Sequence, residues 1–268
     1  MKIALAQMVS GDSLEKNLDT IFRFIRKANQ QAARWIIFPE NCLLMKSSKL
    51  NELAETLHTS NFIFDKIASY AKRYEIAVLL GSVPMKSTSE RVYAASLLWN
   101  ALGEQIARYD KIHLFDASVD DSQGNYQESS YIKPGTKTLV TCLDEFLLGF
   151  SICYDLRFPQ LFQKLRQVGA QVIAVPSAFT NITGEAHWEP LLRARAIENQ
   201  CYILGVNQGG EHSPSRVTYG HTMAIDPWGR IIGRLDKGEN LLCVDINLAV
   251  VASVREKMPV FEHQRTLM

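Results

Sequence analysis

Residues 147–162 read LLGFSICYDLRFPQLF, and their reading decides the fold. Residues 147–152 are mostly apolar and have the length of a buried strand. Pro159 followed by a helical pattern marks a helix start. Cys153 stands at the junction, followed by Tyr154, Asp155, Leu156 and Arg157. A thiol at such a corner is either a small hydrophobe completing the core or a nucleophile at the mouth of a sheet. In the second case it is expected to be partly exposed and to face the positive end of the next helix, which would lower its pKa and favour the thiolate. Asp155 and Arg157 are spaced for a local ion pair, or Arg157 is free to hold a substrate carboxylate through a bidentate contact.

The same order of elements surrounds this corner on both sides. Upstream, KIALAQM (2–8) alternates as a strand does. Residues 12–33 then place Leu14, Leu18, Ile21, Phe22 and Ile25 on one helical face, with Asp12 and Glu15 in capping-box spacing. WIIFPE (35–40) is a short strand stopped by Pro39, residues 61–75 are a second amphipathic helix, and IAVLLGSVP (76–84) is the strand after it. VYAASLLWN and EQIARYD flank a turn at 101–103 as a hairpin. Downstream come QVIAVPS (171–177), a helix at 187–199, CYILGVNQ (201–208) and a hairpin across PWG at 227–229.

Strands alternating with helices in both halves argue for an α/β fold, with mixed sheets whose central strands are parallel. Two such halves bury their sheets against each other and leave helices outside. No linker rich in Pro, Gly or Ser divides the halves, so residues 1–268 are expected to form one domain. The polar segment 116–135 is long for a connection, as functional loops often are.

Composition narrows the function. Of 268 residues 47% are hydrophobic and 21% charged, with a net charge of +1, so the overall balance gives no reason to expect nucleic acid or an anionic membrane as partner. The apolar runs are too short for a membrane span or a signal-peptide core. Five cysteines, odd in number and without a CxxC pair, argue against a disulfide framework or zinc ribbon and for a cytoplasmic protein. Cys42, Cys142, Cys201 and Cys243 read as packing residues. His113, His187, His212 and His221 have no metal-site spacing, so no metal is expected.

Three further residues have a functional and a plain reading. Glu40 closes a strand at the sheet edge where ligands bind in open α/β folds, or it caps the next loop. Lys111, in RYDKIHLF, stabilises a developing oxyanion or is simply solvated. Glu128, in the long polar loop, belongs to a site or faces water.

Taken together, FPE with Glu40, YDKIHLFD with Lys111 and CYDLRFPQ with Cys153 resemble the three catalytic blocks of the nitrilase superfamily of carbon–nitrogen hydrolases, in that family's order. The similarity runs from KIALAQM to PVFEHQR. The resemblance implies a four-layer α-β-β-α sandwich of two mixed β-sheets, with Cys153 as nucleophile, Glu40 as general base and Lys111 as the oxyanion's cation. It assigns Glu128 to orienting the site and needs no cofactor. The backbone N–H of Tyr154 would join Lys111 in holding the oxyanion. PSAFTNITGEAHWEPLLRARAIENQCYILG and YGHTMAIDPWG resemble the Nit branch, and within it PSAF and LLRARAIE are closer to enzymes acting on deaminated glutathione than to omega-amidases. By the same resemblance, Arg157, Phe179 and Thr183 would line the pocket for an α-keto acid end. Homodimers or larger homo-oligomers would form across the helices near Cys153. The polar insert 208–218 varies in such branches and would shape the pocket rim. The competing readings are an omega-amidase on 2-oxoglutaramate, another small-amide or N-carbamoyl hydrolase, a Cys-His peptidase, and an idle binding protein.

Overall fold

The structure is a computed structural model that describes residues 1–265. In chain order the strands and helices are β1 (Lys2–Gln7), α1 (Leu14–Gln30), β2 (Trp35–Ile37), α2 (Leu50–Thr59), α3 (Phe62–Arg73), β3 (Ala77–Met85), β4 (Tyr93–Trp99), β5 (Gln105–Asp110), β6 (Asp116–Ser118), β7 (Asn125–Gln127), β8 (Val140–Leu143) and β9 (Phe146–Phe150). They continue with α4 (Pro159–Gln167), β10 (Val172–Ser177), α5 (Asn181–Asn199), β11 (Tyr202–Asn207), β12 (Glu211–Ser213), β13 (Arg216–Val217), β14 (Met223–Ile225), β15 (Ile231–Arg234), β16 (Asn240–Asp245) and α6 (Leu248–Lys257).

Two six-stranded sheets dominate, ordered β16-β1-β2-β3-β4-β5 and β15-β14-β11-β10-β9-β8. In each, the three central strands are parallel and the outer pairings antiparallel. Both sheets are therefore mixed, as the order of elements predicts. Strand period 2 then sorts the side chains. Ile3, Leu5, Trp35, Ile37 and Leu79 share a core with residues of the second sheet, whereas their neighbours Ala4, Ala6, Ile36, Val78 and Leu80 pack with α1, α2 and α3. Trp35 meets Phe146 edge-on between the sheets, with ring centroids 5.8 Å apart. On the far side of the second sheet, Leu161, Phe162 and Leu165 of α4 and Trp188, Leu192 and Ala196 of α5 complete the same core. The layers run helix, sheet, sheet, helix.

One glycine marks how closely the sheets approach. A Cβ on Gly81 of β3 would lie 2.5 Å from Cβ of Pro176 in β10 and would collide with the Phe38 carbonyl oxygen. Any side chain there would push apart the strand ends that carry the site described below.

Several local expectations are corrected. Helix α1 is capped by Ser13, whose Oγ accepts from the Lys16 N–H at 3.4 Å, rather than by Asp12. Helix α5 starts six residues before His187, because Thr180 supplies the N-cap and the Pro190 ring does not end the helix. Helices α2 and α6 and strands β6, β7, β8, β12, β13 and β16 add to the elements read from sequence. Strand β16 crosses from the second half to pair antiparallel with β1, so the two halves share a sheet.

Candidate active site

Four chain segments, from both large sheets and from the β6-β7 pair, converge on one cavity. Glu40 follows β2, Lys111 follows β5, Cys153 follows β9, and Glu128 opens a short 3₁₀ turn, Glu128–Ser130, after β7. Strand β5 runs in the same direction as β3, since each is antiparallel to β4, so Lys111 leaves the same edge as Glu40. Two backbone kinks hold the corners. Cys153 has φ +48° and Asn41, next to Glu40, has φ +57°. Non-glycine residues in this left-handed region cost of order 1–2 kcal/mol each, and such outliers cluster at functional sites.

Lys111 is 1% exposed, Glu40 4% and Cys153 9%. The Lys111 ammonium donates to Glu40 Oε1 at 2.8 Å and to both Glu128 oxygens at 2.8 Å. The Phe115 backbone N–H donates to Glu128 Oε2 at 2.6 Å, fixing that carboxylate. Burial alone would pull the Lys111 ammonium down, but the Glu128 and Glu40 carboxylates outweigh it and hold the pKa well above its ordinary value. Lys111 is thus a permanent cation. Burial raises the Glu128 carboxyl, with Lys111 opposing and the Glu40 charge adding to the rise.

The thiol behaves unlike the sequence expectation. Cys153 is buried and begins a five-residue 3₁₀ turn, Cys153–Arg157, while α4 starts only at Pro159. Burial and then the neighbouring Glu40 charge push the thiol pKa up, and Lys111 and the Ala178 backbone N–H only partly offset this. These surroundings favour the thiol over the thiolate in the resting site.

Asp155 also departs from expectation. It is fully buried and does not pair with Arg157. Its Oδ2 accepts from the Tyr109 hydroxyl at 2.7 Å and the Ile152 N–H at 2.9 Å, while Oδ1 accepts from the His113 N–H at 3.0 Å and lies 2.7 Å from His113 Nδ1. It therefore ties the segment on either side of Lys111 to the corner that carries Cys153.

Arg157 lies over the faces of Tyr154 and Phe179, at 5.7 and 5.4 Å, with Nη1 3.2 Å from His187 Nδ1. Arg157, Tyr154, Phe179 and Thr183 line a pocket of about 510 Å³ that also holds Glu40, Lys111, Glu128 and Cys153. All eight residues singled out in the sequence therefore border one cavity. The Thr183 hydroxyl is shared with the helix cap, 2.8 Å from Thr180 Oγ1. Sequence reasoning passed over Tyr126, Tyr131 and Arg216, the polar side chains that join those eight in the lining beside Asn41 and Thr180. Their only signal was membership of the two polar segments, 116–135 and 208–218. Among the described residues, no group of three or more His, Cys, Asp and Glu side chains is placed to hold a metal ion.

This arrangement offers a nucleophilic sulfur, a carboxylate to take its proton, and a buried cation to face a developing oxyanion. Comparison with known proteins points the same way. Residues 2–256 match the carbon–nitrogen hydrolase family. A deaminated glutathione amidase of Yersinia enterocolitica is 42% identical over 98% of this chain and 92% of its own. The NitFhit protein of C. elegans superposes with a TM-score of 0.91 at 36% identity, covering 98% of this chain and 65% of that one. A mutant amidase from Nesterenkonia sp. AN1, showing the result of Michael addition of acrylamide at its active-site cysteine, superposes with a TM-score of 0.81 at 25% identity, over 98% of this chain and 99% of that one. The chain accordingly belongs to the carbon–nitrogen hydrolases, in the Nit branch of the nitrilase superfamily, and is a hydrolase of amide bonds.

Proposed function

We propose that this amidase cleaves deaminated glutathione to 2-oxoglutarate and cysteinylglycine, through a thioester on Cys153, the chain acting as one domain. Glu40 takes the Sγ proton as sulfur attacks the amide carbonyl carbon, which is how a buried thiol becomes a nucleophile at neutral pH. Lys111 and the Tyr154 N–H hold the oxyanion. As the tetrahedral species collapses, Glu40 returns the proton to the leaving nitrogen and cysteinylglycine departs as an amine. Glu40 then takes a proton from water, whose oxygen attacks the thioester carbon, and 2-oxoglutarate leaves as the thiol is restored. Glu128 acts by holding Lys111 in place.

The observation that carries the reading is the placing of Arg157 in the pocket of Cys153. Its polar partner is an imidazole rather than a carboxylate, which leaves the guanidinium available to an α-keto acid. The name of the Yersinia relative supports the same substrate. An omega-amidase would share the catalytic groups and lack only the demand for a bulky leaving amine. We also infer a homodimer or larger assembly across α4 and α5, supported by Ile197 on α5 and Trp228 beside it, each about half exposed. A cytoplasmic setting agrees with five free cysteines.

The test is the release of 2-oxoglutarate from deaminated glutathione and from 2-oxoglutaramate, side by side, with Cys153→Ala as blank. A higher kcat/KM for deaminated glutathione supports the reading. A preference for 2-oxoglutaramate makes the enzyme an omega-amidase, and turnover by Cys153→Ala removes the nucleophile assignment.

A further inference from the structure

The catalytic pocket does not end at Arg216. Asn41, Tyr126, Glu128, Tyr131 and Arg216 border both the 510 Å³ pocket and a larger polar cleft of about 1170 Å³, which extends past Lys46 and His212. Arg216 stands at the neck between them. Its Nη1 donates to the Tyr126 hydroxyl at 2.8 Å, its Nη2 to the Ala178 carbonyl at 2.8 Å, and its guanidinium lies 5.1 Å over the Tyr126 ring. These partners are a phenol and a carbonyl. No carboxylate pairs with Arg216 among the described residues, although the fork has further N–H groups to donate.

The two guanidiniums therefore border Cys153 in different settings. Arg157 sits on the nucleophile's own 3₁₀ turn, against Tyr154 and Phe179, and lines the smaller pocket but not the larger cleft. Arg216 faces the side on which the cavity widens. A short acyl group suits the first place and a bulky leaving amine needs the second. Two linked residues span at most about 7 Å when extended, so the carboxylate of a dipeptide amine needs a partner close to the scissile bond rather than deep in the cleft.

We propose that the cleft beyond Arg216 is the leaving-group subsite, and that Arg216 receives the carboxylate of an amino acid or dipeptide amine. The enzyme would then select amides that carry a carboxylate on each side of the scissile bond. This rests on the substrate reading above, and deepens it by assigning the leaving half.

The experiment uses three substrates: 2-oxoglutaryl-cysteinylglycine, its C-terminal glycinamide, and 2-oxoglutaramate. All three share the keto acid, and only the first has the second carboxylate. Wild-type enzyme is expected to favour the acid over the glycinamide by about 10- to 100-fold in kcat/KM, the range of a charge-assisted hydrogen-bonded contact. Arg216→Gln is expected to remove that preference while changing kcat/KM for the glycinamide and 2-oxoglutaramate by less than about threefold, and Arg216→Lys to restore part of it. Wild-type turnover of acid and glycinamide at equal kcat/KM overturns the subsite whether or not the variants fold. Equal losses on all three substrates in Arg216→Gln also overturn it. Failure of wild type on all three would instead remove the α-keto amide reading, and the subsite with it.

Discussion

Lys111 Nζ lies 2.8 Å from Glu40 Oε1, and the same ammonium bonds both oxygens of Glu128, so one buried cation serves a buried carboxylate and a partly buried one. Glu40 has no bulk water to replace it, and Glu128 has little. Removing the cation costs more than the pair contributes, because the charges left behind remain desolvated.

Lys111→Met is therefore expected to destabilise the fold by about 3–5 kcal/mol. In the folded variant kcat should fall about 10²- to 10³-fold, the usual loss for an oxyanion donor. The pH response has a definite sign. Burial already raises the Glu128 carboxyl and Lys111 opposes that rise, so in the variant the folded pKa climbs further. A folded state that binds the proton more tightly than the unfolded chain loses stability as pH rises and regains it on acidification. Calorimetric Tm from pH 8 to pH 5, relative to wild type, checks this. A variant that keeps kcat within tenfold would remove Lys111 from the chemistry.

Cys153 and Glu40 make opposite demands on the same proton. Glu40 raises the thiol pKa by its charge, yet in the proposed mechanism it is the group that removes that proton. Glu40→Gln should thus lower the midpoint for thiolate formation at Cys153, followed by absorbance near 240 nm against Cys153→Ala. The same change should reduce amide turnover by about 10²- to 10⁴-fold, the range for a general acid–base group. An unchanged or higher midpoint in Glu40→Gln would mean that the carboxylate does not govern the thiol.

The corner at 147–162 was legible because its cues are local: an apolar run, a thiol, and Pro159 at the first turn of α4. The convergence of Glu40, Lys111 and Cys153 was not visible in periodicity, and came from three blocks matched together. Where local spacing was trusted for a tertiary contact it misled. Asp155 and Arg157 are two residues apart, but the aspartate is buried and meets Tyr109 and His113, whereas the arginine faces the pocket. The state of Cys153 was missed for the same reason, since the desolvation that raises its pKa is supplied by both sheets. Strand β16 reads locally as any short strand. Its partner β1 lies at the opposite end of the chain, and nothing near either segment signals the pairing.

Asp155 offers a test of how the corner is held. Asp155→Ala would leave the buried Tyr109 hydroxyl and the Ile152 N–H without their acceptor, and would free His113. A loss of about 3–5 kcal/mol is expected by chemical denaturation. Asp155→Asn keeps the shape and loses less, about 1–3 kcal/mol. Because Lys111 sits between Tyr109 and His113, the asparagine variant should lower kcat more than it raises KM. The reverse pattern would limit Asp155 to stability.

His212 gives the chain a pH-dependent weak point at the rim of the cleft. Its Nδ1 lies 2.7 Å from the Ser10 carbonyl, which accepts only, so Nδ1 carries the hydrogen and Nε2, 2.7 Å from Thr218 Oγ1, accepts. Burial depresses the pKa to about 4, with the Ser10 carbonyl opposing and the Arg216 charge adding to the depression. In the unfolded chain the ring titrates near its ordinary value of about 6.5, so between these values the unfolded state binds more protons and stability rises with pH. Acidification through this window should cost wild type on the order of 2–3 kcal/mol more than His212→Asn. Urea midpoints for both proteins at pH 7.5, 6, 5 and 4.5 measure the difference directly. Parallel curves would show that the ring is already protonated, or solvated, in the native state. A gap that opens only below pH 6.5 would place the loss in the contact that joins the 208–218 insert to Ser10.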